Sequence, residues 1–528
     1  MPMIARCCLL TLAALALLCA CSQMTPSPVT PNSTSTGREA LAKLVIKVPP
    51  QHRRRRGRSQ KYVSPATASL TYAIDGATPV SVSISSANPD CTGSTYLQCT
   101  IPLSLAPGTR TLSFETFDAG HNLLSANTDV STNVKAGAVN QISVTLGGVA
   151  TSIAIFGPNA PQVTGDQGQG FALYGNTPVS FSFVPIDSDG NFIIGPGAPQ
   201  VTLSPNPTDV TVSTPPPWSP TNRWMFHSTY SATNPTIALH TTITAVASPV
   251  PNSGGTTVTA TAPLALYQPW LYVTHGDNSV TAYDEQGNLL SPAGTWSNLN
   301  SGSGIAFVPS NGFLYILDSG FSNVRAYDGA GNYQFSISTG IGNSGIAYDG
   351  TTQRLYVSLA NNTMAAFTAT GNSVSTGGSW AGMDTPFGVA MNPANNHVYV
   401  ANYLAGVTVY DEDGNPQTLS GTPFAHTNHP SGIAYDAYKG WFYIANAGSP
   451  SSITVYDGNG VQQTPSGSFG GAADGFGNGI TFDPHNRSLY VLNVGATTTL
   501  VRYDENGNEI APISIPASPF PTSILEVP

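Results

Sequence analysis

An all-β chain, with two β-sandwich domains ahead of a six-bladed β-propeller, is what three features of this sequence predict. A repeat of 41 to 47 residues centred on tyrosine runs through its second half, and short runs alternating apolar with polar residues fill much of the first. Glycine and proline supply 53 and 43 of the 528 residues, enough to punctuate both halves with turns. Only 9% of residues are charged, which excludes a coiled coil, a helical enzyme rich in Lys and Glu, and a disordered acidic chain.

Met1 to Ala20 reads as a targeting segment. Arg6 gives the positive start and Cys7 to Leu18 the apolar run, too short and wrongly flanked to span a bilayer. Leu18, Cys19, Ala20 and Cys21 resemble the bacterial lipobox, whose last cysteine is diacylated and becomes the mature N-terminus. The resemblance implies a lipoprotein signal peptide over 1–20 and lipidation of Cys21; an ordinary secretory signal with an incidental cysteine is the alternative. Ser22 resembles the outer-membrane-sorted class. Each buried methylene contributes about 0.8 kcal/mol, so several acyl chains hold a soluble domain at a membrane without a spanning helix. With Cys7, Cys8 and Cys19 removed and Cys21 acylated, Cys91 and Cys99 remain, eight residues apart in an exported chain. A disulfide hairpin is expected, and a metal pair is the weaker reading because no His or further Cys accompanies them.

Residues 21–61 read as a flexible tether, rich in Ser, Thr and Pro at first and then basic. Nine of the 18 basic residues lie between Arg38 and Lys61, whereas from residue 62 onward eight basic residues face 27 acidic ones, a net charge of -19. The Arg53 to Arg58 run, set between a lipid anchor and an acidic body, is placed to touch anionic headgroups, lipopolysaccharide or cell-wall polymer; the alternative is a solvated linker. Nucleic acid is not an expected partner, since the chain is exported and no aromatics interleave the run.

Residues 62–148, joined by a strand at 41–49, alternate in short runs such as Ser69 to Ile74 and Thr111 to Phe117, separated by Asp-Gly and Pro-Gly turns. That is a β-sandwich pattern. Asp118 to Asn122 and Asn140 to Leu146 resemble the turn and last strand of bacterial surface Ig-like modules. Residues 149–263 repeat the style with more proline and are expected to form a second Ig-like sandwich. Within them Asp187 to Asn191 lacks the spacing of a calcium loop and reads as a hairpin turn, and Pro215 to Trp218 reads as an exposed loop.

Residues 264–528 carry the repeat. Gly-Ile-Ala or a close variant begins at Gly304, Gly345, Gly388, Gly432 and Gly479, and eleven residues after each stands a tyrosine between aliphatics. These are Tyr315, Tyr356, Tyr399, Tyr443 and Tyr490, with Tyr272 as a first copy. A Tyr-Asp pair or its relic follows at Tyr283, Tyr327, Phe367, Tyr410, Tyr456 and Tyr503, then a turn such as Asp284-Glu285-Gln286-Gly287-Asn288. Six copies at this period make six blades. Ser523 stands 44 residues past Gly479, so Ser523 to Val527 is expected beside Leu271 to Val273, closing the ring. Val398 to Asn402 and Phe442 to Asn446 resemble the YVTN signature, and the repeat as a whole resembles the NHL and YVTN β-propellers over about 265 residues. That resemblance implies fold; propellers host binding, scaffolding and catalysis alike.

No Gly-Lys-Ser/Thr phosphate loop, His-Glu-x-x-His zinc motif or Gly-x-Ser-x-Gly elbow occurs. The chain leaves the second strand of successive repeats at His275, Asp318, Leu359, Asn402, Asn446 and Asn493. All but Leu359 are polar and are expected, with Tyr403, to ring one mouth of the axial channel and bind the ligand; Asp277, Asn343 and His429 lie in the accompanying loops. Such Asn and Asp oxygens resemble the divalent-metal site of gluconolactonase/regucalcin propellers, which implies calcium. The alternative is that they cap strand ends and no cofactor is present. His426 and His429 read as solvated loop residues.

The expectation is therefore a non-enzymatic lipoprotein of the cell envelope, at the outer membrane or cell surface, that presents a propeller to an envelope protein, glycan or small ligand. A metal-dependent lactonase or lyase and a purely structural envelope component are the rivals. The sequence sets no oligomeric state.

Overall fold

The computed structural model describes residues 40–49, 63–93 and 96–527, apart from 205, 214–222, 233, 236, 293, 421–422, 466–468, 470–475, 495–498 and 516–520. The targeting segment, Cys21, the Arg53 to Arg58 run and the Pro215 to Trp218 loop lie outside the described residues. Among the described residues every regular element is a strand, so the chain is all-β.

The first strand, Ala40–Val48, lies where a strand is expected at 41–49 and takes these residues out of the tether. Its side chains alternate strictly, burying Ala42, Leu44, Ile46 and Val48 while Lys43 and Lys47 face solvent, as the two-residue period of a half-buried strand requires. It pairs antiparallel with Leu97–Leu105 and parallel with Asn140–Ile142. A second sheet orders Val80–Ser83, Ser69–Ile74, Gly108–Phe117, Leu123–Val134 and Gly147–Gly148. Leu70, Leu112 and Phe114 from it share one core with Leu44 and Ile101. Cys91 and Cys99, opposite one another in the register, are disulfide-bonded.

A second two-sheet unit encloses Phe171, Phe181, Phe183, Phe226 and Leu264. Its strand Val258–Tyr267 overruns the boundary expected at 263, because Leu264 and Leu266 continue the buried alternation and pair with Phe171 and Leu173. The turn at Asp187 is held by its own Oδ1, which accepts the N–H groups of Asp189 (3.0 Å) and Asn191 (2.8 Å). The other oxygen accepts the Ser64 hydroxyl at 2.6 Å and so ties this unit to the first.

From Trp270 onward six sheets follow, each with its strands antiparallel and in chain order except the first. Their innermost strands are Gly302–Val308, Asn343–Asp349, Pro386–Asn392, Pro430–Asp436, Phe476–Asp483 and Pro521–Val527; each touches the next, and the last touches the first. This circular succession is consistent with a β-propeller. Crowding at the axis explains the repeated glycine: a Cβ on Gly345 would lie 1.6 Å from the Phe387 carbonyl oxygen. Pro521–Val527 pairs with Trp270–His275, placing Ser523 opposite Thr274 and Val527 opposite Trp270.

The repeat tyrosines sit buried on the second strands and reach across to the next sheet. Tyr272 donates to the carbonyl of Gly329 (2.5 Å), Tyr356 to Glu412 (2.8 Å), Tyr399 to Gly458 (2.6 Å), Tyr443 to Glu505 (3.2 Å), and Tyr315 to Ala369. A buried phenol needs a partner for its hydroxyl, and the neighbouring hairpin supplies one at these five junctions, whereas the Tyr490 hydroxyl accepts from Asn486 of its own sheet. Tyrosine rather than phenylalanine recurs there because it both fills the gap and stitches the sheets together.

Candidate functional site

Register brings the expected rim residues to one end of the ring. The start of each inner strand pairs with the end of a second strand: Gly302 with Asp318, Asn343 with Leu359, Pro386 with Asn402, Pro430 with Asn446, Phe476 with Asn493 and Pro521 with His275. His275, Asp318, Asn402 and Asn446 are nevertheless fully buried, and this corrects their reading as ligand contacts. Asn402 donates to the carbonyls of Val400 and Gly406 and to Thr408 Oγ1 (2.9 Å), while its oxygen accepts the N–H of Asp384. Asn446 repeats the pattern with Ile444, Ser452, Thr454 (3.0 Å) and the N–H of Asn428 (2.9 Å). His275 Nε2 lies 2.8 Å from Thr281 Oγ1, and Asp318 pairs with Arg325.

Each of these groups therefore clamps the third strand or the incoming loop of its own sheet. The amide oxygens of Asn402 and Asn446 are taken by loop N–H groups and Asp318 is held by Arg325, so the donor set at this mouth does not fit calcium, which takes six to eight oxygen ligands. Leu359 is buried, Asn493 is half-buried, and Tyr403 packs its ring against His429 and Phe387 at centroid distances of 4.5 and 6.0 Å. Beside polar residues such as Asp277, Asn361 and His429, the rim loops expose three large apolar side chains: Phe321 (57%), Ile341 (40%) and Leu404 (63%). The axial channel behind them is a cavity of about 380 Å³ walled by the inner strands.

The second two-sheet unit occupies the opposite, hairpin end. Asn176 and Gln286 exchange two amide hydrogen bonds of 3.2 and 2.9 Å, and the Tyr174 ring stacks on His485 at 3.7 Å. Gly329 approaches so closely that a Cβ there would lie 2.3 Å from Asn234 Oδ1.

Beneath Tyr174 lies a polar cluster that the sequence motifs did not reveal. Asp483 ends the inner strand of the sixth sheet, Glu526 comes from Pro521–Val527, and Glu285 comes from the first hairpin; all three are buried. Asp483 Oδ1 accepts the N–H groups of His485 (2.7 Å) and Asn486 (3.2 Å), and Asn486 donates to Glu285 Oε1 (3.2 Å) and to the Tyr490 hydroxyl (3.0 Å). Burial, with Asp483 close by, raises the Glu285 carboxyl to about 7; burial raises Asp483 to about 6 and pushes Glu526 well above the usual range. Burial also lowers the His485 imidazole to about 4, so it is neutral at physiological pH. Arg502 opposes the shifts of Glu285 and Asp483. One signal was present in the repeat: Glu526 stands where the other inner strands carry Phe307, Tyr348, Met391, Tyr435 and Phe482.

These shifts give a stability profile with a definite sign. A carboxyl whose folded value is raised binds its proton more tightly in the folded state, so its contribution is complete below the ordinary carboxylate range and is lost as pH rises through the raised value. His485 acts in the opposite direction, since its neutral form is favoured when folded, but three carboxyls outnumber it. In chelator-treated protein, urea denaturation should show stability falling from about pH 5 to about pH 8, with the slope reduced in Glu526→Gln. A flat profile would show that the three acids are not held together as described.

No family model matches this chain, and no curated protein matches it. Among solved structures, a chain in the crystal structure of the nidogen/laminin complex is 14% identical, with a TM-score of 0.40 over 49% of this chain and 98% of that one. A gluconolactonase from Xanthomonas campestris is 18% identical, with a TM-score of 0.35 over 47% of this chain and 85% of that one. Likenesses this weak carry no function to this chain.

Proposed function

We propose that this protein is a lipid-anchored component of the cell envelope in which two Ig-like β-sandwiches hold a six-bladed β-propeller away from the membrane. The propeller is a non-catalytic platform that binds an envelope protein, a glycan or a small ligand. The observation that carries this reading is the polarity of the ring: the second sandwich takes the hairpin end through Tyr174, Asn176 and Asn234, and the loops with Phe321, Ile341 and Leu404 stand free at the other. Binding residues gather on loops held by rigid strands, and exposed apolar side chains on clamped backbone offer contact area at low ordering cost. A lactonase or lyase reading draws less support, because the clustered acids lie under Tyr174 at the covered end.

Two measurements test it. Bacteria fed a palmitate analogue should label the full chain, and Cys21→Ala should lose the label. Photocrosslinking in envelope extract should capture a partner whose binding weakens by about 1 to 3 kcal/mol on Phe321→Asp or Leu404→Asp, while Leu289→Asp at the hairpin end has no effect. Label on the Cys21→Ala protein, or capture that depends on Leu289 and not on the rim, would contradict the proposal.

A further inference from the structure

The junction between the sixth and first sheets departs from its neighbour in a way that points to a missing cation. Between the fifth and sixth sheets, Asp436 Oδ1 accepts the backbone N–H of Lys439 (3.2 Å), the Lys439 ammonium lies 3.3 Å from Oε1 of the hairpin residue Glu505, and Phe482 stacks on Tyr443. One junction on, Asp483 and Glu285 take the two acidic places, Asn486 replaces the lysine, and Glu526 replaces the phenylalanine. Arg502 is the one guanidinium among these groups, and it bonds Ser488 Oγ at 2.9 Å. Three buried carboxyls against one guanidinium leave two negative charges in excess, a costly arrangement unless something neutralises them.

A second observation is independent of the charge. Asp483 Oδ2, Glu526 Oε1 and His485 Nδ1 are each buried without a hydrogen-bond partner, and Asp483 and Glu526 are 0% and 8% exposed. One ligand atom from each of the three residues lies within 4.8 Å of the others, and among the described residues no other trio of His, Cys, Asp or Glu does so. Unpartnered atoms of this kind are rare in folded proteins and mark places where something else binds.

We propose that Asp483, His485 and Glu526 bind one divalent transition-metal cation, with Glu285 tied to the cluster through Asn486. Two carboxylates and one imidazole suit zinc or manganese, and the imidazole disfavours calcium and magnesium. The cation clamps three parts of the chain: the sixth sheet through Asp483, the ring-closing strand through Glu526, and the second sandwich through His485 under the Tyr174 ring. Its role is structural, since Tyr174 and the close approach of Gly175 to Glu285 cover it.

The full chain, stripped with chelator and titrated with zinc or manganese chloride, should take up one equivalent and melt at a higher temperature when loaded. His485→Gln, compared with its own chelator-treated melting temperature because the ring also stacks on Tyr174, should gain less on loading and bind at least about tenfold more weakly. Glu526→Gln should lose the equivalent, while His429→Gln, in the exposed loop at the other end, should retain it. If neither metal shifts the melting temperature, or if Glu526→Gln and His485→Gln load as well as wild type, the proposal is overturned. It is equally overturned if Glu526→Gln stabilises a stripped protein that takes up no metal, since two protons would then be neutralising the acids.

Discussion

Deleting Thr522 to Pro528 is expected to abolish the cooperative unfolding of the ring. These residues include most of Pro521–Val527, which lies between Trp270–His275 and the channel and touches the inner strands on both sides. Ile524 and Val527 are 3% and 0% exposed, and burying each contributes about 1.5 to 3 kcal/mol. Their loss leaves a cavity beside Leu271 and Val273, and it strips the hydrogen-bond partners from a strand whose residues are all buried. The sum approaches the entire stability of an ordinary domain, about 5 to 15 kcal/mol. Calorimetry of the truncated chain should therefore keep the transition of the two sandwiches and lose that of the ring. A ring transition at the wild-type temperature would show that the first sheet stands without its fourth strand.

How much of this was legible in the sequence depended on whether a feature repeats. The spacing of Tyr272, Tyr315, Tyr356, Tyr399, Tyr443 and Tyr490 locates one buried strand per sheet, because a repeated unit must present the same side chain to the same gap. Arithmetic on that period also puts a strand at Ser523 to Val527, and the structure has one at Pro521–Val527. The strand at Ala40–Val48 falls where one is expected at 41–49; Lys43 and Lys47 blur its edge with the basic run after it, and their alternation with buried aliphatics separates the two. The rim was legible in position and misleading in chemistry. An Asn at a strand end can offer its oxygen to a ligand or to a loop N–H, and in Asn402 and Asn446 the loops of Asp384 and Asn428 take it. The acidic cluster was hidden because Glu285, Asp483 and Glu526 lie far apart in sequence and meet only when the ring closes.

Arg325→Met should destabilise the ring by about 3 to 5 kcal/mol, the usual result of removing one partner from a buried ion pair. Asp318 is fully buried at the end of Phe313–Asp318; Arg325 is its ion-pair partner, and its second oxygen has no hydrogen bond. Without the guanidinium the carboxylate is left with no counter-ion in a site closed to water. Asp318→Asn should cost less, because the Arg325 side chain keeps 11% exposure and lies over Phe321, itself exposed, so the freed cation can reach solvent. The double substitution Asp318→Leu with Arg325→Met should return most of the loss, since apolar replacement of a buried pair is often close to neutral. Urea denaturation of the three variants reads the pattern directly. If Arg325→Met cost less than about 1 kcal/mol, the range of an exposed pair, Asp318 would have to be hydrated through a moving Phe321 loop. The rim would then be a mobile surface instead of the fixed platform on which the binding proposal depends.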